Sequence, residues 1–259
     1  MKIIELLRMP ETRCITDLDD PATTLLHSRI LQKKLFFKKL YIDFYREFRR
    51  AVPDFKNKVL VELGSGGGFI KDVIPNVITS DILELPNVDK VFSAVNMPFE
   101  DNSIDAFLMI DVLHHIIDSR AFFKEALRRL KIGGKIVMIE PANTVWSRFI
   151  YKNFHHELFN IKAKWGLDQS GPLSQGNGAI PWIIFSRDRK IFESEFPSLK
   201  ILAIHNHTPV RYLISGGFTL RQLAPSCAYP IIKAIECVLY PFNNLIGMFQ
   251  TIELQKISE

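Results

Sequence analysis

From residue 58 onward, apolar runs typical of β-strands alternate with segments whose apolar residues follow helical spacing. Helices are predicted in FIKDVIP (69–75), which is short, and in SRAFFKEALRRL (119–130), with Ser119 as N-cap and KIGGK (131–135) as its stop. Alternation of this kind predicts a doubly wound α/β fold around a mostly parallel sheet. Seven strands are predicted, in KVLVELG (58–64), VITSDI (77–82), KVFSA (90–94), IDAFLMIDV (104–112), KIVMIEP (135–141), LKILAIHNH (199–207) and FQTIELQKI (249–257).

Before the first strand, one long amphipathic helix is predicted over residues 25–50. Residues 29–50 carry eight Lys or Arg against Asp43 and Glu47. Two interpretations remain open: the helix covers the core with a solvated basic face, or that face contacts an anionic membrane surface or an acidic substrate. Nucleic acid is disfavoured, since no recognisable module interleaves these charges with stacking aromatics. The apolar residues at three-four spacing are Leu26, Ile30, Phe37, Tyr41, Phe44 and Phe48.

A second segment, residues 221–253, is strongly apolar and has only Lys233 and Glu236 as internal charges. Pro230 and Pro241 divide it into pieces too short to cross a bilayer, so we expect it to be buried or interfacial. The N-terminal stretch MKIIELLRMPETRC has no cleavage site typical of a secretory signal.

The chain has 259 residues, 47% of them hydrophobic, which is enough for one large α/β domain with a buried core. Its net charge of +5 is modest. Cys14, Cys227 and Cys237 form neither a paired framework nor a C-x-x-C motif. This cysteine usage predicts a cytoplasmic location and no structural zinc site.

The stretch KVLVELGSGGGF (58–69) places an acid and four glycines behind a strand. A phosphate-binding loop is excluded because Phe69, not Lys, follows the last glycine. The dinucleotide fingerprint fails too, since its third glycine would fall on Phe69 or Lys71. Asp81 ends the second predicted strand, nineteen residues after Glu62, where a carboxylate can accept hydrogen bonds from ribose hydroxyls. The pattern therefore predicts a ligand with a ribose and without a phosphate.

Residues 58–141 resemble the class I S-adenosylmethionine-dependent methyltransferases, in particular the small-molecule branch called methyltransferase type 11. The segment NMPFEDNSIDAFLMIDVLHHI (96–116) is similar to that branch's fourth-strand region. The segment EALRRLKIGGKIVMIEP (125–141) is similar to its helix, glycine turn and fifth strand. The resemblance implies a Rossmann-like methyltransferase fold and S-adenosyl-L-methionine as the cofactor.

The same resemblance implies the cofactor contacts. Asp81 would bind the ribose, and Glu62 would organise the glycine turn and hold the amino group of the methionine moiety. At the position where many relatives have an adenine-binding acid, this chain has Ser93, so backbone groups near Ala94 and Asn96 are expected to replace that acid. The predicted cofactor-binding residues are Glu62, Gly64, Ser65, Gly66, Gly68, Asp81, Ser93, Ala94 and Asp111, of which Gly64, Gly66 and Gly68 would line the methionine moiety.

Methyl transfer from a sulfonium is an in-line displacement, and a base is needed only where the acceptor must lose a proton. His115 follows the fourth predicted strand, at a position where similar methyltransferases have a histidine, and we predict it as this base, with His114 second. The alternative is that one of the two histidines packs against the following helix while the other faces solvent.

A second cluster lies in WSRFIYKNFHHELF (146–159). We predict that Tyr151, His155, His156 and Glu157 orient the acceptor as part of a cap. No metal is predicted, because neighbouring histidines on a helix point about 100 degrees apart and no H-E-x-x-H motif is present.

We therefore predict a single methyltransferase domain over residues 1–259. Its parts are an N-terminal helical extension (1–56), a cofactor-binding core (57–141), a cap insertion (142–196), and C-terminal strands with an apolar helical segment (197–259).

The predicted function is transfer of a methyl group from S-adenosylmethionine to an oxygen or nitrogen of a small or lipid-linked acceptor, which includes saccharides. The predicted partners are this acceptor and a peripheral membrane surface, not nucleic acid. A catalytically silent methyltransferase-like module that binds a partner remains the alternative. An oxidoreductase with a nicotinamide cofactor is disfavoured by the glycine spacing.

Overall fold

One seven-stranded sheet forms the centre of the molecule in the computed structural model, which describes residues 2–13, 15, 17–155, 157–167, 171 and 174–259. Six of the seven predicted segments contain one strand each, and the fifth forms the second half of a strand that begins five residues earlier. The strands are β1 (Leu60–Leu63), β2 (Ile78–Asp81), β3 (Lys90–Val91), β4 (Ile104–Ile110), β5 (Leu130–Pro141), β6 (Leu199–His207) and β7 (Phe249–Lys256).

The strands lie in the order β3, β2, β1, β4, β5, β7, β6. The five strands from β3 to β5 pair in parallel, whereas β7 is antiparallel to both of its neighbours. This arrangement confirms the predicted doubly wound, mostly parallel α/β sheet. The direction of the strand order reverses between β1 and β4, and ligands of such sheets bind at the carboxyl ends of the strands beside this point.

Ten α-helical segments surround the sheet in the described part of the chain: α1 (Lys2–Leu7), α2 (Pro21–Lys33), α3 (Leu35–Ala51), α4 (Ser119–Arg129), α5 (Val145–Phe154), α6 (Ile180–Trp182), α7 (Arg189–Glu195), α8 (Arg211–Ser215), α9 (Tyr229–Leu239) and α10 (Asn243–Ile246). A π-helical turn, Ile183–Arg187, joins α6 to α7.

The prediction of one continuous helix over residues 25–50 is wrong, because the chain breaks at Lys34 between α2 and α3. Lys34 has φ −85° and ψ 86°, and its buried ammonium donates to the carbonyl oxygens of Gly217 and Leu220, at 2.5 and 2.8 Å. The apolar face of α3 is nonetheless buried as expected, for example at Phe44 and Phe48. This packing supports the interpretation that the helix covers the core.

The helix predicted in FIKDVIP is also wrong, since only a single 3-10 turn, Ile70–Asp72, forms there. Residues 64–77, all described, contain no longer helix between β1 and β2. Helix α3 covers this face of the sheet instead. The Tyr45 hydroxyl accepts a hydrogen bond from the Phe69 amide at 3.1 Å, and Lys135 on β5 donates to the Ala51 carbonyl at 2.7 Å.

Helix α4 covers the opposite face and begins where predicted, but its N-cap is Asp118 rather than Ser119. The Asp118 carboxylate accepts from the amides of Arg120 and Ala121, at 2.9 and 3.0 Å, so it satisfies two of the unpaired amides of the first turn. Strand β5 begins at Leu130, directly after the helix, and includes the KIGGK segment.

The apolar segment 221–253 is not fully buried. Ile231, Ile235 and Val238 recur at helical spacing along α9 and are 64%, 50% and 77% exposed. Leu245 on α10 is exposed as well. None of the helices that the structure describes is long and apolar enough to cross a bilayer.

Candidate active site

One cavity of 1060 Å³ opens at the carboxyl ends of β1, β2 and β4. Its volume lies at the upper end of the range for ligand sites. Every predicted site residue within the described part of the chain lines it, whereas His156 lies outside the described residues. These lining residues are Glu62, Gly64, Ser65, Gly66, Gly68, Asp81, Ser93, Ala94, Asp111, His114, His115, Tyr151, His155 and Glu157.

The glycine turn after β1 requires left-handed backbone at two positions. Gly64 has φ +65° and Gly66 has φ +48°. A Cβ atom on Gly64 would lie 2.6 Å from a methyl group of Val112. Both this clash and the left-handed backbone therefore exclude a larger residue at this position. At Gly66 no atom lies closer than 3.8 Å to the position of such a Cβ, so the turn is open on that side.

The next two glycines allow close packing of the N-terminal helices. A Cβ atom on Gly67 would lie 2.7 Å from the backbone of Ser28 on α2, and one on Gly68 would lie 2.7 Å from the Tyr45 hydroxyl of α3. The glycine motif therefore serves the contact between helices and turn as well as the cavity. This second role depends on residues outside the motif and was not predicted.

The side chain of Glu62 lies in the cavity wall, and its carboxylate is only partly hydrogen-bonded within the described residues. It is 3% exposed, and its buried Oε2 has no hydrogen-bond partner among the described residues. Burial, reinforced by the charge of Asp81, raises the pKa of Glu62 to about 8. A buried acceptor without a partner is rare in folded proteins. It fits a cationic ligand group, such as an ammonium.

Asp81 holds the glycine turn against β2. Its Oδ2 accepts from the Gly66 amide at 2.8 Å, and its Oδ1 accepts from the Leu83 amide at 2.9 Å. Burial raises the pKa of the carboxyl, although these backbone hydrogen bonds oppose the effect. Each carboxylate oxygen has a second lone pair, so Asp81 can accept ribose hydroxyls while it keeps the turn in place.

The predicted adenine region is a tight turn in which the Asn96 amide donates to the Ser93 carbonyl at 2.9 Å. Asp111 lies in another part of the cavity wall. Its φ angle is +56°, a left-handed conformation that is uncommon outside glycine. Burial raises the pKa of Asp111 to about 8. Both regions line the cavity, and their cofactor contacts remain predictions.

His114 is buried between two carboxylates. Its Nδ1 donates to Glu140 Oε2 at 2.7 Å, and its Nε2 lies 3.3 Å from Glu157 Oε2. Burial alone would lower the pKa of His114, but the two carboxylates outweigh it and raise the pKa well above its ordinary value. The other oxygen of Glu140 accepts from the amides of Val112 and Leu113. Glu140 was not predicted; the signal for it was an acid inside the otherwise apolar run KIVMIEP.

His115 shares a 3-10 turn, Leu113–His115, with His114, and the two rings lie 4.2 Å apart. Its Nδ1 donates to the Gln175 carbonyl at 2.7 Å, and its Nε2 lies 3.8 Å from Glu157 Oε1. Burial and the charge of His114 lower the pKa of His115 to about 4. The alternative in which one histidine faces solvent is therefore wrong, because both are held inside the site.

Helix α5 ends at Phe154, so His155 follows the helix and does not belong to it. His155 Nδ1 lies 3.8 Å from Glu157 Oε2. The Tyr151 hydroxyl donates to the Met248 carbonyl at 2.6 Å, and its ring stacks on Phe159. Tyr151 thus presents its ring to the cavity and uses its hydroxyl to anchor α5.

One further part of the cavity wall is rich in aromatic side chains and was not predicted. It comes from α3, from residues 212–220 and from the first residue of β7, three stretches that are distant in the sequence. Only the tertiary fold brings them together, so no local motif could identify them. Its aromatic members include Phe37, Tyr41, Phe44, Tyr212, Phe218 and Phe249.

Among known families, the one described as Methyltransferase domain matches residues 61–138. None of the curated proteins matches the sequence significantly. The matched segment begins in β1 and ends within β5, so it contains the glycine turn, Asp81 and the His114–His115 pair.

Solved structures of methyltransferases are similar to this chain at low identity. An S-adenosylmethionine-dependent methyltransferase from Mesorhizobium loti is 14% identical, with a TM-score of 0.47 over 81% of this chain and 96% of that one. Geranyl diphosphate C-methyltransferase from Streptomyces coelicolor A3(2), crystallised with Mg²⁺, geranyl diphosphate and S-adenosyl-L-homocysteine, is 12% identical, with a TM-score of 0.46 over 85% and 79%. The [4+2]-cyclase SpnF is 13% identical, with a TM-score of 0.49 over 86% and 83%.

The assignment rests on the family match and on the strand order of the sheet. Both agree with the resemblance found in the sequence. Residues 61–138 match the methyltransferase domain, and the sheet that contains them has a Rossmann-like α/β fold.

Proposed function

We propose that this protein transfers a methyl group from S-adenosylmethionine to an oxygen or nitrogen of an amphiphilic, lipid-linked acceptor. One observation carries the proposal: the glycine turn, Asp81 and the histidine pair all line the same cavity. Donor and acceptor would therefore meet without a large rearrangement, and proximity of this kind supplies much of the rate of a displacement reaction.

The donor occupies the end of the cavity formed by β1 and β2. Its ammonium pairs with Glu62, whose Oε2 otherwise lacks a partner among the described residues. Its ribose hydroxyls donate to Asp81, and its methionine moiety runs along Gly64 and Gly66, of which Gly66 is open to the cavity. The adenine contacts the turn at Ser93 and Ala94.

The reaction moves one methyl group and releases one proton. A lone pair of the acceptor atom forms the new bond to the methyl carbon while the carbon–sulfur bond breaks, and its electron pair remains on sulfur. A hydroxyl acceptor also loses its proton, and removal of that proton depends on His115, with His114 second. His155, His156 and Glu157 orient the acceptor.

The shape of the cavity supports an acceptor with a large apolar part. Its aromatic wall offers apolar surface, and Ile150, Tyr151 and Phe154 of α5 extend this wall to the rim. The outer face of α5 is itself apolar, since Val145 and Phe149 are exposed. An acyl or isoprenoid chain therefore has a continuous apolar path into the site.

Product formation tests the proposed function. Purified protein should bind S-adenosylmethionine with a micromolar dissociation constant, about 8 kcal/mol, in calorimetry. It should release S-adenosylhomocysteine only when a lipid or metabolite extract is added. Binding without turnover on any fraction of the extract would favour the catalytically silent module instead.

Membrane attachment is part of the same proposal. Exposed apolar residues lie on α5, α9 and α10. Helices α5 and α10 are neighbours, because the Thr144 hydroxyl before α5 donates to the Gly247 carbonyl after α10, and α9 precedes α10 in the chain. Basic residues flank these apolar residues: Lys39 and Lys152 are exposed, and Lys233 is half-buried and pairs with Asp43. An apolar face bordered by cations fits an anionic lipid surface. In flotation assays the protein should rise with anionic vesicles and stay behind with neutral ones.

A further inference from the structure

The two neighbouring histidines present the same nitrogen to the cavity. The Gln175 carbonyl can only accept a hydrogen bond, so Nδ1 of His115 carries the proton. Glu140 accepts from Nδ1 of His114 in the same way. In their neutral forms, both rings therefore direct the lone pair of Nε2 toward Glu157, whose carboxylate adds further lone pairs. Three electron-pair donors converge, and protons or a cation between them can compensate their negative charge density.

The spacing of these donors fits a metal ion. Nε2 of His114 lies 3.3 Å from one oxygen of Glu157, and Nε2 of His115 lies 3.8 Å from the other. One ligand atom of each residue lies within 4.8 Å of the others. Two ligands about 2.1 Å from a tetrahedral Zn²⁺ stand about 3.4 Å apart. Although successive side chains of a 3-10 turn point about 120° apart, these two rings lie only 4.2 Å apart.

We propose that His114, His115 and Glu157 bind a divalent transition-metal ion at the edge of the cavity, with Zn²⁺ as the reference ion. Two imidazoles and one carboxylate form a ligand set that suits Zn²⁺ and Fe²⁺ and leaves coordination positions open. Mg²⁺ and Ca²⁺, which prefer oxygen ligands, fit it poorly.

The hydrogen-bond partners of the two Nδ1 atoms are of the same kind as those of known metal-binding histidines. Such a histidine donates its other ring nitrogen to a carboxylate or a backbone carbonyl, which fixes its orientation. Glu140 plays this part for His114, and the Gln175 carbonyl plays it for His115. Glu140 is itself fixed by two backbone amides, so the assembly is held rigidly at the end of β5.

For its catalytic role, this inference rests on the proposed function. A metal ion at this position binds the acceptor hydroxyl in an open coordination position and lowers its pKa, so the proton leaves to water before the oxygen attacks the methyl carbon. His115 then acts in proton removal as a metal ligand. The site itself does not depend on the identity of the acceptor.

Metal binding to tag-free protein, stripped with a chelator, tests the site. Calorimetry with Zn²⁺ should give one equivalent per chain with a micromolar or tighter dissociation constant, and Co²⁺ should give the visible absorption of a bound ion. His115→Ala and Glu157→Gln should each weaken Zn²⁺ binding by more than about 100-fold, and Glu140→Gln by about 10- to 100-fold. The matched control is His205→Ala, which removes a histidine of β6 and should leave the affinity for Zn²⁺ unchanged.

Thermal melts identify variants that fail to fold, and Glu157→Gln is the change least expected to disturb packing. Absence of stoichiometric Zn²⁺ binding, or equal affinity in His115→Ala, Glu157→Gln and the parent, would overturn the metal site. If the protein binds S-adenosylmethionine but not Zn²⁺, only this inference fails. If it binds Zn²⁺ but not S-adenosylmethionine, the proposed function fails and the metal site stands.

Discussion

At the scale of single residues, Asp81 has two roles: it supports the glycine turn, and it faces the cavity. Two backbone amides already donate to its carboxylate, from Gly66 and Leu83. A simple loss of affinity in a variant would therefore not separate the two roles. A comparison of ligands with and without ribose hydroxyls separates the two roles.

Asp81→Asn should weaken S-adenosylmethionine binding by about 1 to 3 kcal/mol, because the ribose hydroxyls lose a charged acceptor. Calorimetry with an analogue that lacks both ribose hydroxyls completes a thermodynamic cycle, in which the variant should lose little. Equal losses for the two ligands would mean that Asp81 only supports the turn.

Glu62 should make stability depend on pH. Its folded-state pKa, about 8, lies above its ordinary value of 4.5, so the folded protein holds the proton more tightly than the unfolded chain. This contribution to stability is complete below about pH 4.5 and is lost as the pH rises through 8. Relative to Glu62→Gln, the parent should lose up to about 5 kcal/mol of unfolding free energy over this range. Denaturant titrations at several pH values measure this loss. Unfolding free energies that change in parallel with pH for the parent and for Glu62→Gln would contradict the prediction.

Residues of the site that belong to one continuous motif were predictable from the sequence. Gly64 and Gly66 adopt the left-handed backbone that their motif requires, and Asp81 lies at the end of β2. Glu140 and Tyr45 were not predicted, because each gains its role from a partner far away in the chain. Burial and hydrogen bonding of such residues are properties of the fold.

At the scale of elements, α3 takes the place of the crossover helix that residues 64–77 do not form. Its Tyr45 accepts the hydrogen bond of the Phe69 amide, just after the glycine turn. The strands were predictable because buried strands have continuous apolar runs. The break at Lys34 was not, since its cause is a pair of carbonyl groups near residue 220.

Tyr45→Phe should destabilise the protein by about 1 to 3 kcal/mol, because the buried Phe69 amide loses its acceptor. The affinity for S-adenosylmethionine should fall with it as the glycine turn loosens. Tyr240→Phe, which removes a hydroxyl from a side chain that is 67% exposed, is the control and should have almost no effect. Equal melting temperatures for Tyr45→Phe and the parent would show that α3 does not support the turn.

At the scale of the whole molecule, exposed apolar residues lie on α5, α9 and α10, and α5 also lines the cavity. The sequence indicated that segment 221–253 is apolar, but it did not show which face is exposed. That face depends on how α9 packs, with Tyr229 and Glu236 buried and Ile235 and Val238 outside.

The double variant Ile235→Ser/Val238→Ser should reduce binding to anionic vesicles by at least about 10-fold, because two apolar side chains no longer enter the lipid surface. Cofactor affinity should stay unchanged. Ile132→Ser, at an exposed apolar residue near the other end of β5, is the control and should float like the parent. Undiminished flotation of the double variant would place membrane contact elsewhere.

The two ends of the cavity, which we propose hold the donor and the acceptor, are built from different stretches of chain. The matched methyltransferase segment, residues 61–138, contains the turn that faces the donor, whereas much of the aromatic wall comes from α3 and residues 212–218. Evolution can therefore exchange the flanking stretches and give the same transfer core a new acceptor. Engineering of acceptor range should likewise begin at Phe37, Tyr212 and Phe218, with the glycine turn left untouched.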